Sequence, residues 1–479
     1  MTILSRVIEN LSPEWALKRE RNTKALDILR KYDAASRTRR TSGWKTSASS
    51  GNAEIRPVVQ ILRDRARDLY RNNPYAHKAV NAIVLNTVHT GIKISINGAK
   101  NQEEKLKNKW NAWCRNCDAD GVNNFIGLQG LVLRTAVLGG DALVRFVRDK
   151  NNSIAPVKLQ VLEGDYLISN KDGHVLSNGN TIIQGIEFDK QGRRVAYWLW
   201  STHPGDGKMS EEIRVPAEDI IHFFRQERPG QVRGVPVGVS AFIRLRDLGE
   251  YQDAQLIRQK IASCFAAFVS GDNGSTIGAG TTVEPLEKLE PGVIEYLPDG
   301  KTVTFASPPG VDGYGEYTSA ILREVASGYE VSYEVLTGDL SKVNFSSARM
   351  GWLDFQRSIN HWQQLMINSF CERVWDYFVF AMEMASGKKA SDVNVSWTAP
   401  RREMIQPKEE IGALKDMVRN GFNSRQDVIR QLGNDVDVVY EELKKDSELM
   451  KAAGLALDSD PNSDSNRVDR GQLTVDSKK

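Results

Sequence analysis

Between residues 54 and 90 the apolar positions recur at helical spacing: Val58, Ile61, Leu62, Ala66 and Leu69, then, after the break "RNNP", Ala76, Val80, Ile83, Val84 and Val88. The spacing predicts two helices, the second started by Pro74, whose fixed φ suits a first turn. Two more helices are predicted over Glu103–Cys114 and Phe125–Leu138. After "GGD" at 139–141 the period changes from helical to alternating. "ALVRFVRD", "VKLQVLEGDYL", "TIIQGIEFD", "RVAYWLW" and "EDIIHFF" read as five strands separated by Asn, Gly and Asp clusters. "FDKQGRRVAYW" reads as a hairpin closed by a short Gly-containing turn.

Two much longer periodic runs follow. Phe242, Leu245, Leu248, Leu256 and Ile257 predict one helix from Val239 to Val269, roughly 45 Å long at 1.5 Å per residue. It leads into the Gly/Ser loop "SGDNGSTIGAGTT" and a Pro- and Gly-punctuated, β-rich stretch over 283–310. A shorter helix is expected from about Glu316 to Tyr329. The second rod covers Ser346 to Ala385 without a proline, roughly 60 Å, with Met350, Leu353, Trp362, Leu365, Met366, Phe370, Val374, Trp375 and Phe378 on a broad face. Between these helices lies "LTGDLSKVN", a polar loop. A short strand "VNVSWTAP" and a helical section over about 407–453 complete the periodic part.

The ends are different in character. "SRTRRTSGWKTSASSGN" (36–52) has no period and is expected to be mobile or ordered by a partner, as is the polar tail after 455. At 479 residues the chain is long enough for several modules. Four irregularly spaced cysteines make no disulfide framework, and the start lacks a secretion signal, so synthesis in a reducing cytosol is expected. The most apolar stretch, "IASCFAAFV", is about half the length that a bilayer crossing needs, which predicts a soluble chain with no membrane partner. Basic and acidic residues number 64 and 61, a net charge of +3. A dedicated duplex binder carries a strong basic excess, because phosphate neutralisation supplies most of its affinity. Tight DNA binding is therefore not advertised, although DNA that merely passes by is compatible.

Candidate chemistry is sparse. Cys114 and Cys117 form a C-x-x-C, but a zinc site wants a second pair and a redox site wants a preceding strand, so two helix-end thiols is the simpler reading. "GDNGSTIGAG" has the glycines of a phosphate cradle without its lysine. The six histidines are scattered, with none paired at i, i+4. Ser346 and Ser347 have no base and fit the N-cap of the long helix. Asp339 and Asp354 lack a partner carboxylate at metal or acid/base spacing. Trp352, Trp362, Phe370, Trp375, Tyr377 and Phe378 would stack bases if exposed, but their helical spacing favours a core or a subunit interface. Arg37, Arg39 and Arg40 fit either a nucleic-acid or capsid contact, or a solvated basic segment. No catalytic residue, metal site or cofactor is expected.

In order along the chain stand "YDAASRTRRTSGW", "LRDRARDLYRNNPYA", "GLQGLVLRTAVLGGDALVR", "LQVLEGDYL", "GIEFDKQGRRVAYW", "RPGQVRGVP", "LRDLGEYQDAQLIRQKIASCFAAFV" and "LTGDLSKVNFSSARMG". Together they make the chain, from about Tyr32 to Leu449, resemble the lambda-type portal proteins of tailed bacteriophages. The resemblance implies a mainly helical α+β fold. It places an N-terminal helix and basic segment at 1–52, a wing at 53–235, a stem helix at 236–270, a clip at 271–312 and a second stem helix at 313–335. A tunnel loop at 336–345, a long wing helix and strand at 346–402, a crown at 403–455 and a disordered tail at 456–479 follow.

The same resemblance implies a ring, a dodecamer in similar proteins, at one capsid vertex, through which double-stranded DNA is packaged and ejected. Procapsid nucleation and docking of the terminase large subunit would follow. So would contacts with the major capsid protein and scaffold, and with head-completion and tail connector proteins. Asp339, Lys342 and Asn344 would line the channel from the tunnel loop, and Arg244, Glu250 and Arg258 from the stem. Large apolar faces on the long helices would serve between neighbours. The competing reading is a DNA-acting terminase or nuclease subunit, which needs a P-loop or an acidic metal cluster.

Overall fold

The computed structural model describes residues 14, 18, 21, 22, 39, 42–44, 46–97, 100–152, 154–207, 209–263, 267–271, 301–305, 313–341, 344–389, 393–400 and 403–455. Residues 1–54 form one compact unit and 55–479 another. In the first, Arg39 is exposed and its carbonyl accepts from the Ser42 hydroxyl at 3.0 Å.

The second unit begins with α1 (Val59–Asn72) and α2 (Pro74–Val88). Asn73 separates them: its extended backbone ends α1, and its Oδ1 accepts from the amides of Tyr75 and Ala76 to start α2. β1 (Lys93–Asn97), α3 (Lys100–Cys114), α4 (Phe125–Gly139) and β2 (Asp141–Arg148) follow. Next come β3 (Val157–Glu163), β4 (Thr181–Ile183), β5 (Ile186–Phe188), β6 (Arg194–Trp200), β7 (Glu212–Pro216) and β8 (Ile220–Phe224). The strands form two antiparallel sheets, β3-β2-β8 and β4-β5-β6-β7.

"TIIQGIEFD", read from its alternation as one strand, is two. Gln184 (φ 49°) and Gly185 (φ 84°) turn the chain between β4 and β5, as a tight two-residue hairpin with two positive φ angles requires. β1 and β7 are not among the five predicted strands, although Ile92, Ile94 and Ile96, and Ile213 and Val215, do alternate. β1 is held by β11 (Asn394–Thr398) from the far end of the chain, with Lys93 opposite Thr398, and β7 pairs with β6.

The first rod is shorter than its periodicity suggests. α5 covers Phe242–Ser263, and Ala267–Gly271 is a strand, β9, paired antiparallel with β10 (Lys301–Phe305). "AFVSG" is aromatic and β-branched enough to take a strand partner, which local helical spacing cannot reveal. Then come α6 (Tyr314–Gly328), α7 (Tyr333–Thr337) and α8 (Phe345–Met366). α8 continues through a π turn, Ile367–Cys371, into α9 (Glu372–Ser386), so the second rod is helical throughout. Its core residues Trp362, Met366, Phe370, Val374 and Phe378 repeat every fourth position. In a 3.6-residue helix such a row drifts by about 40° per step. The wider π turn takes up part of that drift and keeps the row on the core.

These rings are inside the chain's own core. Trp110 of α3 lies 5.1–6.2 Å, centroid to centroid, from Trp375, Phe378, Phe125, Trp113 and Trp397. Trp362, Phe370, Trp375 and Phe378 are buried by α2, α3 and α4, so they are not a free face for a neighbour. α10 (Pro407–Arg419), α11 (Arg425–Gln431) and α12 (Val436–Ala453) end the described chain. The fold is a mainly helical α+β, and no described helix is long and apolar enough to cross a membrane.

Candidate functional site

The polar loop between α7 and α8 is shaped by its own short side chains. Ser332 caps α7 by accepting from the Val335 amide, and Gly338 (φ 74°) closes it in the left-handed region. The Thr337 hydroxyl then accepts from the Asp339 amide at 3.1 Å. Asp339 Oδ1 accepts from the Ser341 amide (3.0 Å) and hydroxyl (2.6 Å), and Oδ2 accepts from the Tyr333 hydroxyl at 3.3 Å. Asp339 is thus half-buried and bound within the loop, while Leu340 beside it is 66 % exposed.

Asn344, rather than Ser346, caps the long helix. Its Oδ1 accepts from the Ser347 amide at 2.8 Å, and the Ser347 hydroxyl accepts in return from the Asn344 amide at 3.2 Å. Ser347 therefore takes part in the cap from the third helical position. Lys342, Arg37 and Arg40 lie outside the described residues.

α5 packs on α6, and Leu245 and Leu248 of the one are buried in the same core as Ile321, Leu322 and Val325 of the other. Arg244 reaches across to Glu324 at 3.0 Å, and Glu250 pairs with Arg246 one turn earlier at 3.0 Å. Arg258 is half-buried. At 100° per residue, Arg258 stands about 40° from Arg244 around α5, and Glu250 about 80° from Arg258 and 120° from Arg244.

Where α6 ends, Glu330 stands in the left-handed region at φ 57°, a conformation glycine or asparagine usually takes. Its carboxylate accepts from Arg225 Nη1 at 3.0 Å through each oxygen and from the Ser358 hydroxyl at 3.2 Å. The Arg225 guanidinium also lies 5.4 Å over the Trp362 ring. The end of β8, the end of α6 and the middle of α8 are therefore joined at one point, just before α7 and the loop that follows it. Tyr329, buried, packs on Gly238 so closely that a Cβ there would meet its ring at 2.5 Å.

Sequence reasoning missed a buried ionic network. Arg63 of α1 donates to Gly139 O (3.0 Å) and Asp141 Oδ1 (3.3 Å) and reaches Asp165 at 3.2 Å. Arg233 grips both oxygens of Asp141 and donates to Gly164 O at 2.9 Å. His222 Nε2 faces Asp141 Oδ2 at 3.4 Å, and Arg67 binds Asp165 at 2.5 Å and Glu163 at 2.9 Å. Glycines make the room: a Cβ on Gly140 would strike Gly234, one on Gly234 would strike Gly140, and one on Gly164 would strike Asp141.

Burial would raise the Asp141 and Asp165 carboxyls, but the guanidiniums around them outweigh it and hold both well below the usual carboxylate range. Burial pushes His222 down to about 4 against the pull of Asp141, leaving a neutral ring at neutral pH. The signal was present in "LRDRARD", "GGDALVR", "LEGDYL" and "QVRGVP" as charged residues beside glycines, but nothing local says that they meet.

Chemistry elsewhere is muted. Burial raises the Cys114 thiol and pushes Cys117 up to about 12, and Cys117 Sγ donates to Cys114 O, as inert helix-end thiols do. Glu163, Asp165 and His203 could converge on an ion, but Arg67 already sits on both carboxylates.

Residues 37–363 match the model of the family described as phage portal protein, lambda family. The chain is 26% identical over 461 residues to the probable portal protein of Halomonas phage phiHAP-1, covering 89% of this chain and 88% of that protein. It is 21% identical over 475 residues to portal protein B of Escherichia phage lambda, covering 86% and 88%. Among solved structures, a chain of the neck of a native GTA particle computed with C12 symmetry is similar with a TM-score of 0.45 at 14% identity, over 79% of this chain and 94% of that one. With the match spanning α5, α6, the loop after α7 and the start of α8, the chain belongs to the lambda family of phage portal proteins.

Proposed function

We propose that copies of this chain close into a ring at one capsid vertex and that double-stranded DNA enters and leaves through its centre. The observation that carries this is the loop at 338–344, set between α7 and a capped helix of 42 residues inside the family match. A loop so anchored is presented at one height, and a ring repeats it around the hole. Every strong phosphate contact would be repeated by every copy, so a basic loop would trap the duplex. One aspartate, Asp339, against one lysine, Lys342, avoids that, and Asp339 also shapes the loop through Ser341 and Tyr333.

In this reading 53–235 is the wing, 236–270 and 313–335 the stem, 271–312 the clip that faces the packaging motor, and 403–455 the crown. The partners are the terminase large subunit, the major capsid protein and scaffold, and head-completion and tail connector proteins. The assembled protein resides in the virion. Its role is structural and conductive.

Images of the purified full-length protein should show rings with a lumen that admits a duplex. In a packaging reaction Asp339→Lys should leave assembly intact and reduce DNA uptake. Normal filling would remove the loop assignment, and replacing 271–312 with a short linker without loss of terminase binding would remove the clip assignment.

A further inference from the structure

α10, α11 and α12 are well started but poorly covered. Pro407 occupies the first turn of α10, Ser424 accepts from the Asp427 amide at 3.0 Å, Asp435 accepts from the Asp437 amide at 2.9 Å, and Gly454 ends α12. Yet among the described residues of 403–455 Val436 is the one apolar side chain that reaches the core. Ile411 is 54 %, Met417 40 %, Tyr440 42 % and Leu443 58 % exposed. Helices of 13 and 18 residues are marginal alone in water and depend on covering their apolar stripe.

The two stripes differ in charge. On α12, Val436, Tyr440, Leu443, Ser447 and Met450 alternate spacings of four and three, and the exposed Lys444 and Lys451 run beside them one heptad apart. On α10, Ala413 and Met417 are flanked by the exposed Glu409 and Asp416, also seven apart. Lys444 has an i, i+4 neighbour in Glu448 at 4.0 Å, an exposed pair worth little. Tyr440 and Leu443 of α12 and Ala413 and Met417 of α10 all stay exposed, so within one chain these parts of the two stripes do not cover each other. A head-to-tail contact needs two different, complementary patches on each copy, which is what these two supply.

We propose that the α12 stripe of one copy seats on the α10 stripe of a second copy of this chain, with Lys444 and Lys451 facing Glu409 and Asp416 of that copy. This deepens the ring reading and rests on it.

The test is sedimentation velocity of the full-length protein over a dilution series. Tyr440→Ser with Leu443→Ser, both at exposed positions, should leave thermal unfolding of the dissociated single chain unchanged. They should raise the concentration at which the assembly falls apart by about tenfold or more, the usual effect of removing interface anchors. Lys444→Glu with Lys451→Glu should weaken assembly, as should Glu409→Lys with Asp416→Lys. All four charge changes in one chain should restore it to near the wild-type level. If the wild type assembles and the serine variant dissociates no earlier, another protein covers these helices and the proposal is overturned. It is also overturned if both charge variants weaken assembly and the fourfold variant does not recover. A wild type that stays single at high concentration overturns the ring itself.

Discussion

Arg225 holds Glu330 through one guanidinium nitrogen placed 3.0 Å from both carboxylate oxygens, while Glu330 keeps a left-handed backbone at φ 57°. The contact is made at the cost of strain on the residue that makes it. That combination marks Glu330 as the point where the end of α6 is pinned to β8 and, through Ser358, to the long helix.

Glu330→Gly and Glu330→Ala both lose the pin, but only glycine relieves the backbone. The alanine variant should therefore be less stable than the glycine variant by about 1 kcal/mol in urea unfolding. In both, amides of 331–341 should exchange faster than in the wild type by hydrogen-exchange mass spectrometry. Unchanged exchange there would mean that the loop's approach is set elsewhere.

Asp141→Asn should be among the most damaging substitutions in the chain. It leaves Arg63 and Arg233 buried without their shared counter-charge, and breaking such a buried pair costs about 3–5 kcal/mol. Chemical denaturation gives the value directly. A loss under about 1 kcal/mol would show that water reaches the guanidiniums.

Acid should loosen the network in two stages. His222 is held at about 4, below its ordinary value near 6.5, so the unfolded chain binds its proton first as pH falls. Stability then decreases from about pH 6.5 to 4, by about 1.4 kcal/mol for each unit by which the two states differ. Below that, Asp141 and Asp165, whose carboxyls are depressed in the folded chain, lose their contribution as they are protonated. His222→Gln should flatten the upper stage and leave the lower one, read as unfolding midpoints across pH.

At the start of the long helix, Asn344→Ala should cost about 1 kcal/mol, the usual price of a lost cap, whereas Asn344→Asp should be nearly neutral. Ser346→Ala should change little, because Ser346 does not hold the cap. Thermal unfolding of the three variants separates these outcomes.

How much could be read along the chain depends on how far apart the deciding residues lie. Helices such as Pro74–Val88 and Phe125–Gly139, and the rod from Phe345 to Ser386, followed from apolar period and caps, since both act within one or two turns. The motif order carried the family and with it the loop, although not that Asp339 would be held by Ser341 and Tyr333.

Tertiary structure alone decided the rest. Five separate segments bring Arg63, Asp141, Asp165, His222 and Arg233 into one dry site, where pairing outweighs the cost of desolvation. β1 exists because β11 lies beside it, and Ala267–Gly271 is a strand because Lys301–Phe305 offers it an edge. The aromatic row of the long helix went to the chain's own core because α3 and α4 supply rings that fill it. Local periodicity states that a face is apolar; only the packed chain states what covers it.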